Sequence, residues 1–234
     1  MEKRETNNFH LTNGGNLEIF FIGVGGALSQ KHNNTNFLIV KGDKHIMVDF
    51  GVTACHGFSK MTGLPLHSVE NLLITHSHLD HAAVEPLVIT NRYVGRKFFN
   101  SKKLTLLCPR PLRQVLWNDT WRGGLSYNEY DCERNIPLTF SDYFDVIEPT
   151  WKQNAIRESY LLDIGDIHLE MFRTKHTPEQ SHTWEDSSMS IGMLIDDRVF
   201  ISGDTRFDRE LIDIYAPVSE IMFHDVQFFP GAVP

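Results

Sequence analysis

Three imidazoles and a carboxylate fall within six positions at His76-Ser77-His78-Leu79-Asp80-His81. The segment follows a short apolar run and precedes a stretch with helical spacing. His76 and His78 are two apart, so on an extended strand end they point to one side. Asp80 and His81 lie on the turn into the helix and can face back toward that side. Four such groups in one turn pack poorly without a cation, because buried polar groups need partners. Neutral imidazole and carboxylate oxygen are the usual ligands of zinc and related divalent metals. The competing reading is a solvated histidine-rich loop, and a chance match to this pattern is on the order of one in a thousand. Four side chains exceed what one tetrahedral ion uses comfortably. The natural division is His76 and His78 on one metal, Asp80 and His81 on a second.

Each ion then needs ligands from elsewhere in the chain. His176 stands at the end of an apolar run, before Thr177-Pro178; alone, it reads as a surface residue at a strand end. The run 199–202 ends in Gly203-Asp204, and Asp204 alone reads as a helix cap or turn residue. All three features occupy strand ends followed by turns, so one sheet edge could collect them. Asp204 has two oxygens and could bridge two metals.

The elements that must position these residues can be sketched from hydropathy. Strand-like runs cover residues 17–22, 36–40, 45–49, 71–75 and 104–108, with a hairpin signal at 41–44. Helices are expected at 52–62, 82–94 and from Pro111 to Trp117, with Pro86 confined to a first turn. Residues 118–141, with Gly123-Gly124 and Pro137, read as an insertion, a lid or a dimer surface. The second half predicts strands at 143–147, 160–164, 167–174, 189–195, 199–202 and 220–223, and a helix at 208–215. Strand clusters with helices between them predict an α/β fold, two sheets flanked by helices in one domain over 1–234.

Composition narrows the function. The 234 residues carry 22 Lys and Arg against 30 Asp and Glu, a net charge of −8. That balance argues against a large nucleic-acid surface. It permits a small phosphorylated substrate, because a bound cation reverses the local field. The three cysteines, Cys55, Cys108 and Cys132, form no Cys-x-x-Cys pair, so a reducing compartment is expected. The first ten residues lack the apolar core of a signal peptide, and no run is long enough to span a bilayer. A cytoplasmic protein with no membrane partner is expected.

The order His76-x-His78-x-Asp80-His81, His176, then Ser202-Gly203-Asp204-Thr205 resembles the metallo-β-lactamase superfamily. Gly23-Val24-Gly25-Gly26, Asn34-Thr35-Asn36 and the strand ending in Asp49 look like it too, and the likeness covers nearly the whole chain. It implies the αββα sandwich, two mixed β-sheets flanked by helices. Asp204 at the bridging position is similar to the phosphodiesterase branch that includes RNase Z. Arg122-Gly123-Gly124-Leu125, residues 140–145 and 196–200, and His224-Asp225-Val226-Gln227-Phe228-Phe229 look closer still to the phage and bacterial anti-Pycsar enzymes. Those are cyclic-nucleotide phosphodiesterases.

The resemblance implies a metal-dependent phosphodiesterase that hydrolyses 3′,5′-cyclic mononucleotides (cCMP, cUMP, cAMP, cGMP) to linear monophosphates, in evasion of Pycsar antiphage defence. His76, His78 and His176 would hold one metal, and Asp80 and His81 the other, with Asp204 between them. The cofactors would be two divalent ions, Zn2+ or alternatively Mn2+ or Fe2+. Asp80 would also orient the nucleophile or accept its proton. The likeness further implies more chain, with a His soon after residues 231–233 and a last ligand His beyond, so the C-terminal part of the family fold is expected to be missing here. His224 could take over as proton donor. Trp184 could stack on a nucleobase or pack under its own loop, and Arg122 could bind phosphate or stay solvated. A homodimer is implied. The alternatives are an RNase Z-like tRNA 3′-processing nuclease, a lactam or thioester hydrolase, and a non-catalytic nucleotide-binding protein with a degraded metal site.

Overall fold

A computed structural model describes residues 9–226. Residues 1–8, Gln227-Phe228-Phe229 of the likeness segment and the 231–233 stretch lie outside the described residues. The chain divides into two compact units, one running to Glu148 and the other starting at Pro149.

The first unit contains β1 (Glu18–Gly23), β2 (Asn36–Lys41), β3 (Lys44–Val48), β4 (Asn71–Leu73), β5 (Leu104–Leu107), β6 (Tyr130–Asp131), β7 (Ile136–Pro137) and β8 (Phe144–Ile147). Six of these form one sheet in the order β1-β2-β3-β4-β5-β8, and β6 pairs with β7. The β1/β2 and β2/β3 pairs are antiparallel, and β3/β4, β4/β5 and β5/β8 are parallel. Parallel neighbours need a crossover between them. Helices Ala54–Thr62, Glu85–Thr90 and Arg110–Val115 lie in the three intervening segments. Residues 46–48 and 71–73 are wholly buried and mostly apolar, as strands covered on both faces must be. The parallel β3/β4 register pairs Val48 with Leu73. The chain therefore leaves both strands at the same edge, with Asp49 beside Thr75.

The helix expected over 82–94 is in pieces. Leu79–Ala82 is one turn, Glu85–Thr90 starts afresh with Pro86 in its first turn, and a wide turn spans Asn91–Gly95. Proline has no N–H to donate and its ring displaces the preceding turn, so the helix restarts there. Segment 118–141 is rooted in the core of this unit. Trp121 is buried and its indole N–H donates to the Ala82 carbonyl at 2.8 Å. The Tyr143 hydroxyl donates to the carbonyl of buried Leu125 at 2.8 Å. Tyr127 and Tyr130 are exposed.

The second unit contains β9 (Thr150–Trp151), β10 (Ser159–Ile164), β11 (Ile167–Arg173), β12 (Ile191–Ile195), β13 (Val199–Ile201) and β14 (Ile221–Phe223), in the order β14-β13-β12-β11-β10-β9. Antiparallel β11/β12 and β12/β13 pairs followed by a parallel β13/β14 pair make β11, β13 and β14 run the same way. Their C-terminal ends share one edge, and His176, Asp204 and His224 follow those three ends. Phe172, Leu194, Phe200, Leu211 and Tyr215 form a buried cluster that seats helix Arg209–Tyr215. The Asp208 side chain caps that helix by accepting from the Leu211 N–H. No helix among the described residues is long and apolar enough to cross a membrane.

Candidate metal centre

In the first unit the six-residue motif is held by Asp49. Its carboxylate accepts from the Thr75 N–H at 2.7 Å, the Thr75 hydroxyl at 2.8 Å and His81 Nδ1 at 2.7 Å. Asp49 is buried and has a left-handed backbone, φ 59°. Aspartate tolerates that conformation better than most residues. Burial pushes its carboxyl above the usual carboxylate range, and the His81 and Thr75 hydrogen bonds work against that rise.

This arrangement fixes tautomers. His81 Nδ1 carries the proton donated to Asp49, so its Nε2 presents a lone pair. The Thr75 hydroxyl spends its proton on Asp49, so His76 Nδ1, 3.0 Å from that hydroxyl, must donate to it. His76 Nε2 is then a lone pair too, and it lies 3.1 Å from His78 Nδ1. Two nitrogens on one tetrahedral zinc at about 2.0–2.1 Å would be about 3.3 Å apart. The rings of His76 and His81 are 4.3 Å apart, and ligand atoms of the two lie within 4.8 Å. Asp80 Oδ2 is 3.3 Å from His81 Nε2. Lone pairs of His76 and His81 and an ionised Asp80 are a donor set that fits a divalent cation. His76 and His81 are buried, Asp80 is half-buried and His78 is exposed.

Gly51 lets the backbones meet. A Cβ there would lie 1.9 Å from the Asp80 carbonyl oxygen, while the Phe50 N–H donates to the His81 carbonyl at 2.7 Å. Gly51→Ala is therefore expected to destabilise the protein by about 2 kcal/mol and to weaken metal binding together with it. Thermal unfolding with and without chelator checks this; an unchanged midpoint in both would contradict it.

In the second unit His176 Nε2 and Asp204 Oδ2 are 3.8 Å apart. The Thr174 hydroxyl donates to the Asp204 carbonyl at 3.0 Å, and the Lys175 N–H to Thr205 Oγ1 at 3.3 Å, lacing the two segments together. Gly203 has φ 59°, and a Cβ there would lie 2.6 Å from the Ile191 carbonyl oxygen. Next to it, the Asp225 N–H donates to Ser202 Oγ at 2.8 Å. His224 Nδ1 lies 2.8 Å from the Asp225 carbonyl, which can only accept. Its Nε2 is buried with no hydrogen-bond partner among the described residues.

Two other candidates are placed differently. Trp184 is half-buried, with its ring 5.9 Å from the Arg173 guanidinium. Arg122 is exposed on the short helix Arg122–Leu125. Sequence reasoning gave no role to Asp49 or Thr75. The signal was a strand ending in Asp and then Gly51, but its meaning depends on the β3/β4 pairing.

Comparison with known proteins bears on this donor set. The description "Anti-Pycsar protein Apyc1" covers a family that matches residues 17–233. The chain belongs to that family. A relative from Bacillus phage BSP38, an anti-Pycsar protein Apyc1, is 33% identical over 220 residues, 92% of this chain and 79% of the relative. One from Paenibacillus sp. (strain J14), of the same description, is 29% identical over 90% of this chain and 77% of its own length. Among solved structures, the metallo-β-lactamase fold protein YhfI from Bacillus subtilis aligns with TM-score 0.58 and 17% identity, over 85% of this chain and 67% of that one. The short form of human tRNase Z aligns with TM-score 0.51 and 22% identity, over 80% and 68%. At such identities the likeness shows the fold, which is the metallo-β-lactamase fold.

Proposed function

We propose that this Apyc1-family chain is a metal-dependent phosphodiesterase that opens 3′,5′-cyclic mononucleotides (cCMP, cUMP, cAMP and cGMP) to linear monophosphates, and so counters Pycsar defence. The observation that carries the reading is the pair of tautomer locks through Asp49 and Thr75, which leave lone pairs on the Nε2 atoms of His81 and His76. Carboxylates and hydroxyls that hold the far nitrogen of an imidazole are how proteins orient metal-binding histidines. The match to the anti-Pycsar family supports a substrate of this class.

In this reading His76, His78 and His176 would hold one divalent ion and Asp80 and His81 another, with Asp204 completing the donor set. Two such ions, zinc or alternatively manganese or iron, would supply Lewis-acid stabilisation of the phosphoryl charge and a water of lowered pKa. Asp80 would orient the attacking water and accept its proton. His224, its ring held by the Nδ1 bond to the Asp225 carbonyl, would serve as the proton donor to the departing sugar oxygen. The acidic balance of −8 weighs against the tRNA-processing alternative. The reading includes a homodimer and a cytoplasmic setting.

The test is to strip the protein with chelator, reload it with zinc, manganese or iron, and offer the four cyclic nucleotides alongside a tRNA precursor. Linear nucleoside monophosphates are expected from the reloaded protein and not from the stripped one. Processing of tRNA without cyclic-nucleotide turnover would replace this reading with the nuclease. Nucleotide binding without turnover would replace it with the non-catalytic one.

A further inference from the structure

The loop between Thr177 and Ser188 follows His176 and carries Trp184. Its two ends are tied: the Ser188 N–H donates to the Thr177 carbonyl at 2.6 Å, and the two hydroxyls meet at 2.6 Å. Inside it, the Asp186 carboxylate accepts from the N–H groups of His182 and Thr183 at 3.0 and 2.8 Å. Its flanks are held by two arginines, one three residues before His176 and one two residues after Asp204. Arg173, the last residue of β11, is buried. It donates to the carbonyls of Trp184 at 3.0 Å, Ser187 at 2.9 Å and Ser188 at 3.5 Å. Its guanidinium carbon lies 5.9 Å from the Trp184 ring centroid. Arg206, two residues after Asp204, donates to the carbonyls of Glu179 and Ser181, and its N–H donates to the Lys175 carbonyl at 2.8 Å.

Arg173 is itself braced. Its guanidinium lies 3.3 Å from the Glu158 carboxylate, its N–H donates to the Glu158 carbonyl at 3.0 Å, and its carbonyl accepts from Arg157 at 3.0 Å. A guanidinium presents five donors in a rigid fork, which suits several carbonyls at once; an ammonium is a point charge on a flexible stem. Five loop carbonyls are thus fixed by two guanidiniums before any ligand arrives. A loop frozen in this way costs no ordering entropy on binding. What it holds in place is one large aromatic ring, and a planar base is the natural complement of such a ring.

We infer that Arg173 and Arg206 are positioning residues: they clamp the 177–188 loop as a preformed wall on which the base of the cyclic nucleotide stacks, against Trp184. The inference rests on the phosphodiesterase reading. It goes beyond that reading by assigning base recognition to a loop held through its own carbonyls.

The experiment compares wild type, Arg173→Ala, Arg173→Lys and Arg206→Ala, all metal-loaded. One readout is hydrogen exchange of the loop amides. The other is affinity for cyclic CMP and cyclic AMP against ribose 3′,5′-cyclic phosphate, which has the same phosphodiester and no base. In Arg173→Ala the loop amides are expected to exchange at least about tenfold faster. Its preference for the based over the base-free ligand is expected to fall by about tenfold, the worth of one base–aromatic stack. Arg173→Lys should fall between, since it keeps the charge and loses the fork. Arg206→Ala, which frees only the other flank, gives the same direction if Arg173→Ala does not fold. Unchanged loop exchange, or equal weakening of both ligands, would overturn the clamp. A wild type that binds neither ligand would overturn the phosphodiesterase reading and this inference with it, a result distinct from a wild type and variants that discriminate alike.

Discussion

His76→Ala is expected to lower cyclic-nucleotide turnover by about a thousandfold or more, the several kcal/mol that metal-borne charge stabilisation is worth. His76 sits at the junction of both halves of the motif. Its Nε2 lies 3.1 Å from His78 Nδ1, and its ring is 4.3 Å from that of His81. Through Thr75 it is also tied to Asp49. In the proposed site, removing it takes away one ligand and the contacts with His78 and His81. The loss should therefore appear in bound metal as well as in rate. Elemental analysis of the purified variant checks the first and chromatography of products the second. Full metal content with wild-type turnover would remove His76 from the site.

Asp49→Asn is the second large effect. The substitution keeps the volume, and asparagine tolerates the same left-handed backbone. It replaces one of two accepting oxygens with an NH2 group, while three donors still converge there: the Thr75 N–H, the Thr75 hydroxyl and His81 Nδ1. One donor pair must then face another. We expect a stability loss of about 3 kcal/mol, as for breaking a buried charged contact, and metal affinity down by about ten- to a hundredfold as His81 loses its tautomer lock. Denaturant unfolding and metal titration measure the two. A variant with normal metal affinity would show that Asp49 serves the fold alone.

How much of this was legible in the residue order depends on where each interaction runs. The 76–81 motif is legible because its ligands are side chains at fixed spacing within one turn. His176 and Asp204 are legible as polar residues closing apolar strands, which β11 and β13 proved to be. Asp49 is a different case. It acts across the β3/β4 ladder, and no local spacing announces a parallel pairing between strands more than twenty residues apart. The broken helix after His81 was overestimated because apolar periodicity continues through Pro86 and the wide turn at Asn91–Gly95, whereas the hydrogen bonding does not. Arg173 and Arg206 left no trace, since they bind carbonyls, and a carbonyl has no residue identity to read. Trp184 reads from the sequence as a stacking surface or a ring packed under its own loop, and its ring lies 5.9 Å from the Arg173 guanidinium.

The most direct measurement is to incubate the metal-loaded protein with the four cyclic mononucleotides in heavy-oxygen water and to follow the products by chromatography and mass spectrometry. The expected result is a linear nucleoside monophosphate carrying one heavy oxygen on phosphorus, formed by wild type and lost in His76→Ala and Asp80→Ala. Unchanged cyclic nucleotides, or a product whose phosphate carries no label, would contradict hydrolysis at phosphorus and with it the central claim.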